Sequence, residues 1–201
     1  MAGGECISRG IIVAAQPECY LALLHYPVLN KHRQVVTTAV ANLDIHDIAR
    51  AARTYGIARY YIVTPIAAQR SLVETIIDHW RRGYGAEYNH SRREAFSGVC
   101  VREDFEQVCR EIGEYAGKAP RVVATGAALE KGLISYGELR KLLAEGDTPW
   151  LLVFGTGWGL ADGIVARADY SLAPVRGGSD GYNHLSVRSA VAVVLDRLFG
   201  C

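Results

Sequence analysis

The sequence predicts an α/β fold with a mainly parallel sheet and helices on both faces. Three observations lead there. Short continuous apolar runs alternate with stretches whose apolar residues recur every three or four positions, the rhythm of strands and their covering helices. The runs themselves, such as YLALL from Tyr20 and WLLVF from Trp150, are apolar on successive residues, as strands covered on both sides must be. The later strands stop at glycines, Gly126 and Gly155, where open parallel sheets usually bind ligands. With 201 residues the chain suits one domain with a substantial core, and no linker, composition break or repeat divides it. We therefore expect a poorly ordered tail over residues 1–18 and a single domain over residues 19–201.

In chain order, residues 20–29 read as a strand, residues 30–34 as a polar loop and residues 35–40 as a β-branched extended piece. Residues 42–56 read as a helix. Asp44 and Asp47 are spaced like a cap and its third residue, and Gly56 supplies the stop. Its wheel places Ile45, Ile48, Ala52 and Tyr55 on the sheet-facing side. His46, Asp47, Arg50 and Arg53 share the opposite side, which by spacing alone is a solvated polar face. Residues 59–64 form the next strand, ended by Pro65. Residues 67–82 form an amphipathic helix that turns Leu72, Ile76, Ile77 and Trp80 to one side.

The segment 79–93 then reads as a loop in which Arg81, Arg82, Arg92, Arg93, His79 and His90 interleave with Trp80, Tyr84 and Tyr88. Guanidinium groups hold phosphates and aromatic rings stack on unpaired bases, so the pattern suits RNA, with Arg81, Arg82, Tyr88, Arg92 and Arg93 as contacts. The plainer alternative is a solvated loop anchored by its aromatics. Residues 97–101 are a short strand, and residues 102–117 a helix with Phe105, Val108, Ile112 and Tyr115 inward. Residues 121–125 are a buried strand ending in Thr125-Gly126-Ala127, and residues 137–144 a short helix.

The last quarter organises the rest. A buried strand over residues 150–154 stops at Gly155, and glycines at 155, 157 and 159 bare the main-chain amides to a ligand. A short strand ends at Pro174, and Asn183 can cap a final helix carrying Val187, Val191, Val194 and Leu198. Strand ends and a helix start thus converge on one pocket, which Thr125-Gly126-Ala127 should also face. It is not a P-loop, because no Lys-Ser/Thr pair follows the glycines, and Leu160 breaks the dinucleotide pattern GxGxxG.

Composition bounds the function. Half the residues are hydrophobic and 21% are charged, an ordinary globular balance. The net charge of +1 gives no global pull on nucleic acid, so RNA contact needs a local patch. The five cysteines lack CxxC or Cys/His ligand spacing, which argues for reduced thiols, with no disulfide framework and no metal site. No apolar run is long enough to span a membrane, and the N-terminal run is too weak for a signal peptide, so we expect a cytoplasmic protein.

FGTGWGL (154–160), LAPV (172–175) and YNHLSVRSA (182–190) resemble motifs 2 and 3 of the SPOUT, or alpha/beta-knot, RNA methyltransferases. The likeness is greatest to the small bacterial tRNA (guanine-N1)-methyltransferase-like group, and it extends over nearly the whole chain after about residue 20. It implies a C-terminal trefoil knot over residues of about 125 to 190. Its knotted loops would hold S-adenosylmethionine with Phe154, Gly155, Thr156, Gly157, Trp158 and Gly159, and with Leu172, Pro174, His184, Leu185 and Ser186. Motif 1 maps to Asp44, Arg50 and Tyr55-Gly56, with Asp44 standing where ribose 2′-O enzymes of the superfamily carry Asn. The resemblance further implies a homodimer with a composite active site, into which Arg50 of one subunit could reach.

Methyl transfer asks for positioning and for a base to take the acceptor's proton. Arg50 stays charged and suits a phosphate clamp or an electrostatic stabiliser. Asp44, Asp47, His46 and Asp180 are the candidate bases, and spacing does not choose among them. The acceptor would be tRNA, at guanine N1, another base nitrogen or a ribose 2′-oxygen. A non-catalytic RNA- or nucleotide-binding protein of the same fold is the rival reading.

Overall fold

The structure is a computed structural model and describes residues 18–146, 148–178 and 181–200; most of the expected tail, and Asp180, lie outside them. The chain runs β1 (Cys19–Leu24), β2 (Val28–Leu29), β3 (Val35–Val36), α1 (Asn42–Thr54), β4 (Arg59–Val63) and α2 (Ala67–Arg81). It continues through α3 (Tyr84–Tyr88), α4 (His90–Phe96), β5 (Val99–Arg102), α5 (Phe105–Ala116), β6 (Arg121–Ala124) and β7 (Leu133–Ile134). The last elements are α6 (Tyr136–Ala144), β8 (Trp150–Gly155), α7 (Asp162–Val165), β9 (Tyr170–Leu172) and α8 (Val187–Phe199).

Seven strands form one sheet in the order β5-β4-β1-β8-β6-β9-β7, every pairing parallel. Alternate strand residues face two cores, which is why the strands are apolar throughout. Leu21, Leu23, Ile62, Leu152 and Phe154 pack under α1, α2, α4, α6 and α8, whereas Ala22, Leu24, Val63, Leu151 and Val153 pack against α5 and α7. Burying each such side chain contributes about 1.5–3 kcal/mol. The expected parallel sheet with helices on both faces is what forms. The chain builds outward from β1 to β4 and β5, then crosses to β6 on the other side. The strand order therefore reverses between β1 and β8, where Leu24 lies opposite Gly155. That reversal places a crevice at the carboxyl ends of the strands.

Several boundaries differ from the sequence expectation. The strand expected over residues 20–29 is two pieces, since Pro27, preceded by a cis peptide bond, has no N–H for the ladder. The second piece, β2, pairs with β3 in an antiparallel hairpin. The α1 helix has Ala41 at its N-cap without a side-chain bond, so Asp44 sits in the first turn instead of capping; Gly56 is left-handed (φ 72°), as its stop role required. His46 is not on a solvated face: it packs against Trp80 and Phe96. On α2 the buried residues are Val73 and Ile77, while Leu72 is exposed, a rotation of the face by about one position. Segment 79–93 is largely helical, with Asn89 capping α4 through the Arg92 amide. Tyr115 lies on the surface beneath the Arg59 guanidinium. The α6 helix begins with a Ser135/Glu138 capping box, and α8 is capped by Ser186, not Asn183.

Candidate functional site

At the carboxyl ends of β6, β8 and β9 lies a cavity of about 770 Å³, within the range of small-molecule sites. It gathers residues 125–127, 154–159, Leu172 and Pro174, and 184–186, so every residue assigned to the cofactor from sequence lines the same space. Leu29, Arg33 and Thr38 of the β2–β3 hairpin, with Asp44, Asp162 and Arg188, complete its walls.

The glycine turn after β8 has no room for side chains. A Cβ on Gly155 would lie 2.6 Å from the Leu160 amide nitrogen, and one on Gly157 (φ 61°) 2.8 Å from the Leu29 carbonyl oxygen. The hairpin is bonded directly into this turn: the Leu29 amide donates to Gly159 and the Trp158 amide to Leu29, each at 2.9 Å. Beneath, His25 is fully buried, and its Nδ1 meets the Thr38 hydroxyl at 3.0 Å. Thr38 in turn bonds Thr156, whose hydroxyl donates to the Leu24 carbonyl at 3.1 Å. The His25 Nε2 atom is sealed, with no hydrogen-bond partner among the described residues. Burial pushes the His25 imidazole down to about 4, so it is neutral near pH 7.

The donor set suits a ligand recognised by main-chain groups. Among the described residues, the amides of Gly126, Gly157 and Leu185 have no hydrogen-bond acceptor, although all three residues line the cavity. An adenosine with an amino-acid tail needs such amides, apolar walls and the space that the glycines leave open. The residues present therefore fit S-adenosylmethionine.

The motif 1 residues separate along α1. Asp44 is buried at 7% exposure and lines the cavity. Its Oδ1 accepts from Arg188 Nη1 at 3.1 Å. Asp47 is about half exposed, with Oδ2 3.6 Å from Arg188 Nε. His46 is lodged between Trp80 and Phe96, with Nδ1 sealed and partnerless. Burial first, and then the Arg92 charge, lower its pKa below the usual histidine value. Arg50 is exposed, outside the cavity lining, and without an ion pair among the described residues. Arg188 and the hairpin were missed in the sequence: Arg188 sits in motif 3 unremarked, and the hairpin's place depends on pairings no local pattern signals.

The residues expected on RNA divide. The Arg81 guanidinium donates to the carbonyls of Phe96 and Ser97 at 2.8 Å, and also to that of Val99. Arg82 lies 3.8 Å from Asp78, and Arg92 stacks over Trp80 at 4.6 Å. Arg93 is exposed, and Tyr88 stacks on Tyr84 with both rings largely exposed.

A parallel α/β sheet whose reversal point opens into a glycine-walled, main-chain-lined cavity defines an α/β protein with a small-molecule site at its strand ends. Comparison with known proteins makes the class specific. The sequence model of a family described as SAM-dependent RNA methyltransferase matches residues 18–200, and the chain belongs to that family. A protein of Aquifex aeolicus (strain VF5) without an assigned activity is 41% identical over 180 residues, covering 90% of this chain and 87% of that one. A tRNA (guanine-N(1)-)-methyltransferase of Nitratidesulfovibrio vulgaris is 42% identical over 181 residues; the match covers 90% of this chain but 42% of that protein. The SpoU methyltransferase AviRb of Streptomyces viridochromogenes, solved with AdoMet, shares the fold at 16% identity and a TM-score of 0.56, over 92% of this chain and 57% of that one.

Proposed function

We propose that this chain methylates tRNA at a base nitrogen such as guanine N1, as a cytoplasmic homodimer of single-domain subunits. The observation that carries the reading is Asp44: a buried carboxylate on the wall of the cavity that fits S-adenosylmethionine. Bound there, that molecule supplies an electrophilic methyl on sulfonium. The chain's own groups do the remainder. Unpaired amides and glycine-walled space hold the donor, with residues 125–127, 154–159, 172, 174 and 184–186 as contacts. Asp44 takes the acceptor's proton. Asp47, half exposed and off the lining, is the weaker candidate, and His46 packs against Trp80 and Phe96 with its Nδ1 sealed.

The chain spans 42% of the length of the relative whose name carries guanine N1, so the choice of acceptor rests on the carboxylate's chemistry. A carboxylate is better matched to an acidic ring N–H than to a ribose hydroxyl. We further place the trefoil threading of SPOUT proteins at residues of about 125 to 190. Support for the composite site is Arg50, a charged side chain that is exposed, without an ion pair among the described residues, and off the lining of its own cavity. On the RNA side we assign Arg82, Tyr88, Arg92 and Arg93; Arg81 reaches RNA only by giving up its carbonyl bonds.

The test is transfer of labelled methyl from S-adenosylmethionine to tRNA, followed by nucleoside analysis. Methylguanosine carrying the label on N1 is expected. A ribose-methylated product moves the assignment to the 2′-oxygen. Donor binding without transfer to any RNA favours a non-catalytic binding protein. Arg50→Ala should lose on the order of 10²-fold or more in turnover with donor affinity retained, and unchanged turnover would remove Arg50 from the site.

A further inference from the structure

Arg188 is the second residue of α8, and it joins this helix to the first turn of α1 across the cavity rim. Its Nη1 donates to Asp44 Oδ1 at 3.1 Å, and its Nε lies 3.6 Å from Asp47 Oδ2. A carboxylate as enclosed as Asp44 is costly without a partner, so a pairing is expected on stability grounds alone. Two further features go beyond stability. Only Oδ1 of Asp44 is engaged, and no hydrogen bond reaches Oδ2 among the described residues, although Asp44 and Arg188 both line the cavity. The guanidinium also has the Asp47 carboxylate beside it, at 3.6 Å from Nε, so a second negative charge favours its place next to Asp44. The other ion pair on the lining, Arg33–Asp162, has side chains 65% and 82% exposed and is an ordinary surface pair. Among the described residues Arg188 is the cation paired with Asp44, and from β4 the nearby group is the Tyr60 hydroxyl, buried and without a hydrogen-bond partner among them.

We infer that Arg188 is a positioning residue for methyl transfer: it grips Asp44 through Oδ1 so that the free Oδ2 faces the acceptor atom in the cavity. This rests on the methyltransferase reading above and on Asp44 as its base. In the step served, the acceptor's electron pair forms the bond to the methyl carbon. The carbon–sulfur bond breaks with its pair going to sulfur, and the acceptor's proton passes to Asp44 Oδ2. Arg188 exchanges no proton, because its guanidinium stays charged. Asp47 is the second carboxylate beside the guanidinium, so Asp47→Asn should cost less than either change in the pair.

The experiment uses the full chain, S-adenosylmethionine and the RNA that accepts methyl from the wild type. Arg188→Ala should lower kcat by on the order of 10²-fold, while donor affinity by calorimetry stays within about threefold. Arg188→Lys should recover part of the loss, since it restores the charge without the fork. Millimolar guanidinium ion, far below denaturing levels, should rescue Arg188→Ala in part. Asp44→Asn/Arg188→Ala should be no slower than Asp44→Asn alone, because the two residues act as one unit. That last comparison stands even where Arg188→Ala alone misfolds, since the double variant leaves no buried carboxylate unpaired. Wild-type kcat in Arg188→Ala, a loss that follows donor affinity or melting temperature, or additive effects in the double variant would each overturn the role. A wild-type chain that methylates no RNA overturns the functional reading itself, whereas wild-type transfer with an indifferent Arg188 overturns only this inference.

Discussion

Around the cavity at the carboxyl ends of β6, β8 and β9 the glycine turn offers main-chain amides and bare glycine surface; across α2–α4 the exposed groups are long side chains. The contrast explains what each region tolerates. Gly155 and Gly157 are fixed by what surrounds them, the Leu160 amide and the Leu29 carbonyl, so the cavity's shape is a property of the backbone. On α2–α4 neighbouring arginines do unrelated work. Arg81 ties the end of α2 to the chain entering β5, Arg92 sits over the Trp80 ring, and Arg93 is exposed. A glycine is informative because almost nothing else fits its place. An arginine is not, because solvent, carbonyls and phosphates all satisfy it.

The largest expected effect breaks the cavity side of the comparison. Gly155→Ala puts a methyl 2.6 Å from the Leu160 nitrogen and 2.8 Å from the Gly159 carbonyl carbon. Both neighbours are backbone, so the turn must move and carry the Gly157 amide with it. Donor affinity should fall about 100-fold by calorimetry, roughly 2.7 kcal/mol, with the affinity of the donor-free protein for RNA unchanged. Wild-type donor affinity would show that the turn is pliable and that the cavity is not set by its backbone.

How much of this was legible in the sequence follows the same division. The parallel sheet was readable because strands covered on both faces must be apolar at every position, and Leu151 to Phe154 obey that rule. The converging segments 125–127, 154–159 and 184–186 were readable from glycines and motif resemblance. What failed depended on neighbours distant in sequence. His46 looked solvent-facing until α2 and α4 supplied Trp80 and Phe96 to cover it. The β2–β3 hairpin could not be foreseen as a cavity wall, since its place comes from main-chain bonds between Leu29 and the turn at residues 157–159. Arg188 was unremarkable until its partner Asp44, on another helix, came within reach.

A second pair of variants sharpens the side-chain region. Arg81→Ala removes charge-assisted bonds to the carbonyls of Phe96, Ser97 and Val99, and should destabilise the fold by about 2 kcal/mol in denaturant titration. Arg93→Ala should leave stability unchanged. Its effect should appear in RNA affinity, a few-fold loss with a shallower salt dependence by about one charge. Were both variants to lose RNA affinity with stability intact, Arg81 would belong with the RNA contacts and its carbonyl bonds would be dispensable.

The smallest effect returns to the support under the cavity. His25 holds Thr38 and, through it, the Thr156 hydroxyl at the start of the glycine turn. Its pKa is lowered by burial to about 4 from an ordinary 6.5. Between those values the unfolded chain binds a proton that the folded chain does not, so stability rises with pH across this window. The neutral histidine's contribution is complete above about pH 6.5 and is lost as pH falls toward 4. The slope from this one group is about 1.4 kcal/mol per pH unit. His46, also lowered, titrates in the same sense, as carboxylates do further down, so the wild-type slope alone does not isolate His25. The difference between wild type and His25→Gln does, because glutamine can hydrogen-bond Thr38 as donor or acceptor but cannot take up a proton. The pH dependence of unfolding between 4 and 6.5 should be shallower in the variant by about that slope, with donor affinity at pH 7.5 nearly preserved. Parallel curves for the two proteins would mean that water or a rearranged loop reaches the sealed Nε2, and that the cavity's floor is looser than its walls.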